Sequence, residues 1–137
     1  MTPPQELIVK VTTWSQDDSR VVAAGLLGSH ARGDARPDSD IDFCILTPAP
    51  QSLLDDREWI YAFGEDARVA EAVEDYNLVQ SLRVFFGTTE AEFGVTDQAW
   101  ADPPIDRGTL AVINNGLKIL YDPEKRLHRA KTFAANL

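Results

Sequence analysis

The sequence predicts an α/β protein of the α+β kind, in which helices flank a mixed β-sheet. Two observations support this fold class. Short apolar runs typical of buried strands alternate with segments of helical periodicity, and glycine and proline are scattered between them as breaks. The length of 137 residues and the absence of an internal repeat or linker predict a single domain over residues 1–137.

The N-terminal half is predicted to form two helices and two strands. Residues 5–16 have the apolar spacing of an amphipathic helix. The apolar run over 21–27 is short and bounded by polar residues, which favours a buried strand. The run over 41–46 has apolar residues on both alternating faces, which indicates an inner strand. Residues 52–63 have helical spacing that ends at Gly64.

A β-hairpin is the clearest feature of the next segment. Residues 68–76 carry the β-branched and aromatic content of a strand. Two further strands, over 81–86 and 90–95, are predicted to pair around a tight turn at Gly87–Thr88.

The C-terminal residues are predicted to complete the sheet and add two helices. A helix is expected over 106–115, a strand over 117–121 and a last helix over 124–135. Pro123 fits the start of that last helix, because the N–H that proline lacks would have no partner there.

Charge and composition exclude several classes of protein. The formal net charge of −9 repels phosphate backbones and anionic lipid, so neither nucleic acid nor a membrane is an expected partner. The single cysteine, Cys44, excludes an intrachain disulfide and a zinc site built on paired cysteines. No apolar run approaches the ~20 residues of a membrane span, and we expect a cytoplasmic protein.

Chemically informative residues are concentrated between the first two predicted strands. Gly28 and Ser29 directly follow a buried strand and begin a helical turn. Glycine lets a ligand approach the backbone, and the serine hydroxyl with the free N–H groups can hold phosphate oxygens. Asp40 and Asp42 lie two positions apart at the edge of the inner strand, so alternation places both carboxylates on one face.

The aspartate pair indicates a metal site. Two adjacent carboxylates repel each other unless a cation neutralises them, and hard oxygen ligands at this spacing suit Mg²⁺. A phosphate cradle beside such a site indicates phosphoryl or nucleotidyl transfer. The alternative is structural, with Ser29 as a helix cap and Ser39–Asp40 as caps at the strand entrance.

The residues from Gly28 to Asp42 read G-S-x-A-x-G-x5-S-D-x-D. This pattern resembles the signature of the nucleotidyltransferase superfamily related to DNA polymerase β, in particular its minimal (MNT) and aminoglycoside-nucleotidyltransferase-like branch. The resemblance implies the nucleotidyltransferase fold. It also implies that Gly28 and Ser29 contact the nucleotide phosphates and that Asp40 and Asp42 bind metal, with two Mg²⁺ ions expected.

The resemblance further implies a third carboxylate on a later strand, which completes a metal site and accepts the proton of the acceptor. Glu92 is the better candidate because it is flanked by the apolar Ala91 and Phe93, whereas Glu90 lies nearer the hairpin turn. The alternative is that Glu92 is an ordinary exposed acid on a strand.

Two other residues of the motif are candidates for nucleotide binding. Arg32 would offer a local cation to a triphosphate in an otherwise acidic chain, or it would pair with Asp34 instead. Ser39 directly precedes the aspartate pair within the motif.

Together these features predict a Mg²⁺-dependent nucleotidyltransferase of the EC 2.7.7 type, with Asp40, Asp42 and Glu92 as catalytic residues. It would move a nucleoside monophosphate, in particular AMP from ATP, onto the hydroxyl of a small-molecule or protein acceptor and release pyrophosphate. The acceptor pocket would be shallow, or lie at a homo-oligomer interface, or be supplied by a partner protein. The alternatives are an MNT-type antitoxin that binds or nucleotidylates a helical HEPN-type partner, which the resemblance also implies, and a nucleotide-binding domain without catalysis.

Overall fold

The computed structural model describes residues 3–70, 73–76 and 79–137. Within them the helices are α1 Pro4–Asp17, α2 Gly28–Arg32, α3 Pro50–Asp55, α4 Arg107–Asn114 and α5 Arg126–Ala135. The strands are β1 Ala23–Leu27, β2 Ile41–Thr47, β3 Ala67–Val69, β4 Glu74–Tyr76, β5 Val79–Phe86, β6 Thr89–Asp97 and β7 Leu117–Tyr121. Two 3₁₀ turns occupy Glu58–Ala62 and Gln98–Ala101. In this described part of the chain, no helix is long and apolar enough to cross a membrane.

The described strands form one mixed sheet in the order β3-β5-β6-β2-β1-β7, and β4 also pairs with β5. β2 and β6 run parallel, whereas the other pairs are antiparallel. The sheet and its helices confirm the predicted fold class. β2 lies between β1 and β6, so the prediction that 41–46 is an inner strand is also confirmed.

The side chains of β2 alternate between two cores on opposite faces of the sheet. Ile41 and Phe43 belong to a core that includes α1, α3 and the turn Glu58–Ala62. Cys44 and Leu46 belong to a second core with α4 and α5. Asp42 has the same parity as Cys44, and it therefore faces the side of the sheet that carries the second core.

Most other predicted elements are confirmed, with ends that shift by a few residues. These are the helices over 5–16 and 106–115, the strands over 21–27 and 117–121, and the hairpin of 81–86 and 90–95. In that hairpin Phe86 pairs with Thr89 across the two-residue turn.

The single helix predicted over 52–63 is wrong, because the structure contains α3 and a separate 3₁₀ turn there. The Asp56 carboxylate accepts a hydrogen bond from the Glu58 N–H at 3.3 Å, and Arg57 Nε donates to the Leu54 carbonyl at 2.9 Å. These local bonds compete with continuation of the helix. The backbone therefore breaks after Asp55.

The predicted strand over 68–76 is also divided. β3 and β4 both pair with β5, β3 near the hairpin turn and β4 at the opposite end. The middle of the prediction, residues 71 and 72, lies outside the described residues.

The last helix begins at Arg126 and not at 124, so the prediction that Pro123 starts it is wrong. The carboxylate of Asp122 accepts hydrogen bonds from the N–H groups of Leu127 and His128, at 3.2 and 2.8 Å. Lys125 has a left-handed backbone, φ 62°, which ends the preceding turn immediately before the helix.

Candidate metal and nucleotide site

Three carboxylates from two neighbouring strands converge at one end of the sheet. Asp40 directly precedes β2, Asp42 lies in β2, and Glu92 lies in β6. The parallel register places Asp42 directly beside Glu92. One carboxylate oxygen from each of the three residues lies within 4.8 Å of those of the other two. The structure thus brings together the three residues that were predicted to bind metal.

Asp42 has the most unfavourable surroundings of the three for an ionised group. Burial, followed by the negative charges of Asp40 and Glu92, raises the pKa of Asp42 to about 7. Its Oδ1 atom is buried and has no hydrogen-bond partner among the described residues. A divalent cation would supply the missing partner and neutralise the repulsion, so this donor set fits a hard metal ion.

The predicted phosphate-binding turn lies against the same carboxylate. Leu27, the last residue of β1, pairs with Asp42, and α2 begins at the next residue. Gly28 has a φ of 69°, a conformation that side chains disfavour. A Cβ atom there would lie 3.3 Å from Asp42 Oδ2, so glycine lets this backbone approach the carboxylate closely. Ser29 follows Gly28 in the first turn of α2.

Arg32 and Ser39 both make contacts within the motif. Arg32 Nε lies 3.1 Å from the Asp34 carboxylate, and its Nη1 donates to the Asn115 carbonyl at 2.8 Å. Ser39 Oγ accepts a hydrogen bond from the Arg36 N–H at 2.8 Å. The ion pair weighed as the alternative for Arg32 is thus present. Nucleotide binding by these two residues stays a prediction.

Arg83 is a member of the site that sequence reasoning missed. It lies in β5 directly opposite Glu92, and its guanidinium lies 3.4 Å from Glu92 and 3.6 Å from Asp40. It also pairs with Glu90 and with Glu74. A signal for it was available, because a two-residue turn at Gly87–Thr88 places position 83 opposite position 92.

Glu90 and Glu74 are the other unpredicted members. Glu90, which lies nearer the hairpin turn than Glu92, forms an ion pair with Arg83. Glu74 reaches Arg83 from β4, with contacts of 2.9 and 3.2 Å to the guanidinium. Around the three candidate metal ligands, the described residues therefore include one arginine and two further acids.

A cavity of about 250 Å³ lies beside the carboxylates, between the sheet and α4. Its lining includes the pair Asp42 and Glu92 and the next pair on the same face of these strands, Cys44 and Gly94. Trp100, a residue of the second core whose exposed fraction is 5%, also lines the cavity. The site therefore combines a charged rim with a mostly apolar space.

Comparisons with known proteins bear on the fold and the family of this chain. No curated protein matches the sequence. Among solved structures, the chain is similar to an aminoglycoside 6-adenyltransferase from Bacillus subtilis, with a TM-score of 0.51 and 12% identity. That alignment covers 82% of this chain but 38% of the adenyltransferase, and at this identity it shows the fold alone.

Two other solved structures have lower scores. One is a toxin–antitoxin with AMP-PNP, at a TM-score of 0.48 and 12% identity, covering 94% of this chain and 84% of that one. The other is Cid1 in complex with the UTP analogue UMPNPP, at a TM-score of 0.47 and 14% identity, covering 82% and 34%.

The family comparison is more specific. A model of the nucleotidyltransferase domain matches residues 10–88, which include the whole stretch from Gly28 to Asp42. The match ends before Glu92, so the third carboxylate is placed by the structure and not by the family model. Because the match spans more than half of the chain, this protein belongs to the nucleotidyltransferase domain family.

Proposed function

We propose that this protein is a Mg²⁺-dependent nucleotidyltransferase that moves AMP from ATP onto an acceptor hydroxyl and releases pyrophosphate. The observation that carries the proposal is the convergence of Asp40, Asp42 and Glu92 within 4.8 Å, in a chain of the nucleotidyltransferase domain family. The acceptor is proposed to be a small molecule or a protein that presents a hydroxyl group.

Asp40, Asp42 and Glu92 would hold the divalent cations. When bound, Mg²⁺ would neutralise the charge that develops on the phosphate oxygens during transfer. The buried and unpartnered Oδ1 of Asp42 supports this assignment, since an isolated carboxylate oxygen inside a protein is costly without a partner.

The transfer needs one general base, and Glu92 is proposed for that role. The hydroxyl group of the acceptor molecule would lose its proton to the Glu92 carboxylate as the hydroxyl oxygen bonds to the α-phosphorus. The bond from the α-phosphorus to the β-phosphate oxygen would break, and pyrophosphate would leave with that electron pair. Asp42 lies directly beside Glu92 in the sheet. These two residues, with a cation bound to both, would therefore keep the α-phosphate and the attacking hydroxyl close together.

The nucleotide would lie across the turn that begins α2, with its base in the neighbouring cavity. Gly28 and Ser29 would present backbone N–H groups and a hydroxyl to the phosphates, and Arg32 and Ser39 are proposed as further contacts. The cavity beside Asp42 supports this placement, because its mostly apolar lining suits a planar ring.

Transfer of radiolabel tests the reaction. The protein is incubated with Mg²⁺ and ATP labelled at the α-phosphate, together with hydroxyl-bearing small molecules, aminoglycosides among them, or with proteins of a cell lysate. We expect Mg²⁺-dependent labelling of an acceptor, and no labelling from ATP that carries the label at the γ-phosphate. Labelling from the γ-phosphate would overturn the proposal, because it would show phosphoryl transfer.

Tryptophan fluorescence tests the nucleotide site independently of the acceptor. Trp100 lines the cavity, whereas Trp14 and Trp59 stack on each other on the opposite face of the sheet. ATP with Mg²⁺ should change the emission of the wild-type protein and of the Trp14→Phe variant, but not that of Trp100→Phe. Equal signals from all three proteins would contradict placement of the base in this cavity.

A further inference from the structure

Arg83 lies in the middle of the acidic residues at the site. Its guanidinium lies 3.4 Å from Glu92 and 3.6 Å from Asp40, and it also pairs with Glu74 and Glu90. Among the residues that the structure describes, it is the one cation that pairs with candidate metal ligands, and it pairs with two of the three, Glu92 and Asp40.

The guanidinium and a metal ion would compete for the same oxygen atoms. The N–H groups of Arg83 lie toward carboxylate oxygens of Glu92 and Asp40, which are candidate ligands of the cation. The positive charge of the guanidinium would also repel a divalent cation at the triad. Both effects oppose metal binding in the arrangement that the structure shows.

Glu74 and Glu90 hold the same guanidinium at the same time, through contacts shorter than those to Glu92 and Asp40. Glu74 accepts hydrogen bonds from both Nε and Nη2 of Arg83, a two-point contact that fixes the plane of the guanidinium. Glu90 pairs with Nη1. Arg83 can therefore give up Glu92 and Asp40 and still keep two carboxylate partners.

We propose that Arg83, held by Glu74 and Glu90, is a positioning residue that pairs with Glu92 and Asp40 when no metal is bound and releases these two carboxylates when a cation binds. In this role it lowers the affinity of the site for cation and holds the Glu92 carboxylate in place until the cation arrives. The inference rests on the proposed function, since it assumes that the triad binds a divalent cation.

Direct metal binding tests the proposal without any activity assay. Mn²⁺ is titrated into the protein at pH 8, and the free ion is measured by electron paramagnetic resonance. Arg83→Gln should bind Mn²⁺ about tenfold or more tightly than wild type, because a nearby positive charge is lost. Arg83→Lys keeps the charge, and its affinity should stay within about threefold of wild type.

A matched control removes an arginine elsewhere on the same sheet. Arg68 in β3 lies over the Phe85 ring, 4.5 Å from its centroid. Arg68→Gln should bind Mn²⁺ within about twofold of wild type, since its charge is farther from the triad. A merely structural role for Arg83 predicts weaker binding in Arg83→Gln, so tighter binding distinguishes the two roles.

Nuclear magnetic resonance of the wild-type protein provides a second test that needs no folded Gln variant. The Nε–H resonance of Arg83, assigned by its loss in Arg83→Lys, should shift when Mg²⁺ is added. The corresponding resonance of Arg68 should not. If the protein binds Mn²⁺ in the first test but the Arg83 resonance does not move when Mg²⁺ is added, the proposal is overturned.

The outcomes separate this proposal from the proposed function. If the wild-type protein binds no Mn²⁺, with or without ATP, the metal site is wrong and the proposed function fails with it. If the wild-type protein binds Mn²⁺ and Arg83→Gln binds it no more tightly, the role of Arg83 alone is wrong.

Discussion

At the end of the strand pair β2 and β6 where the carboxylates lie, the two faces have opposite properties, although neighbouring residues of the same strands form them. On one face Phe43 stacks on Phe93, with ring centroids 5.1 Å apart, and Phe93 also contacts Phe63 and Trp59. On the other face the neighbours of those two phenylalanines, Asp42 and Glu92, lie side by side in a cluster of like charges.

This difference shows how a site of repelling groups can be held in place. The aromatic face stabilises the strand pair through buried apolar surface and interdigitated rings. The acidic face is unfavourable in the absence of a counter-ion, as the raised pKa of Asp42 indicates. We infer that the packing of one face fixes the positions of the carboxylates on the other.

The largest expected effect comes from removing the charges of the acidic face. Asp40→Asn combined with Asp42→Asn should abolish metal-dependent ATP binding and lower transfer by more than about a thousandfold. The free energy of unfolding should stay the same or rise, because a repelling pair is gone. Calorimetry with Mg²⁺ or EDTA and a urea titration measure both, and a double variant that fails to fold would show that the pair is structural.

Replacing Glu92 should separate turnover from binding. In Glu92→Gln the two aspartates still hold metal, so KM for ATP should stay within about threefold while kcat falls about 10²–10⁴-fold. Glu90→Gln on the same face should lose far less, since Glu90 contacts Arg83 and not the triad. Full activity of Glu92→Gln, measured as pyrophosphate release, would contradict the role proposed for Glu92.

A substitution on the aromatic face should change the free energy of unfolding and not the metal affinity of the site. Phe93→Ala removes a ring that is 0% exposed, and it should lower the free energy of unfolding by about 3–5 kcal/mol. The folded fraction should keep its metal affinity if the site is held only by the overall pairing of β2 and β6. A loss of Mn²⁺ affinity in the fully folded variant would show that the ring positions Glu92 directly.

The last expected effect is a pH dependence that belongs to Asp42. Its pKa is raised from the ordinary value of 3.8 to about 7, so the folded protein holds a proton that the unfolded chain has already released. Stability of the metal-free protein should therefore fall as the pH rises from about 4 to 7. A cation must displace this proton, so metal affinity should rise by about tenfold per pH unit over that range and level off above it.

A comparison of unfolding curves isolates this contribution. Asp42→Asn lacks the titrating group, so its stability should fall less than that of wild type between pH 4.5 and 7. Parallel pH profiles for the two proteins would show that Asp42 does not titrate in this range.

The triad could be predicted because its signals are local. Spacing placed Asp40 and Asp42 on one face, and alternation in a predicted strand distinguished Glu92 from its apolar neighbours. The pairing of β2 with β6 could not be predicted from the residues, because the two segments are distant in the chain and neither pattern indicates which strand it pairs with. The expectation of a third carboxylate on a later strand came from the resemblance to the family.

The Arg83–Glu74 pair and the helix break after Asp55 depend on contacts that hydrophobic spacing does not indicate. Arg83 was missed, although the parity of the predicted hairpin places it opposite Glu92. Its partner Glu74 lies in β4, beyond a break in what was predicted as one strand. The helix break after Asp55 is accompanied by two local side-chain bonds, from the Glu58 N–H to Asp56 and from Arg57 Nε to the Leu54 carbonyl. Bonds of this kind compete with the helix and leave no trace in helical spacing.

The hairpin of β5 and β6 also has a consequence for the order in which the site assembles. Its pairing is local in the chain, whereas the pairing of β2 with β6 closes a long loop, and local contacts generally form first during folding. Arg83 would therefore meet Glu90 and Glu92 before Asp40 and Asp42 arrive. A partly folded chain would hold a half-formed site in which Arg83 already pairs with the glutamates. The repulsion between the aspartates and Glu92 would arise only in the last stage of folding.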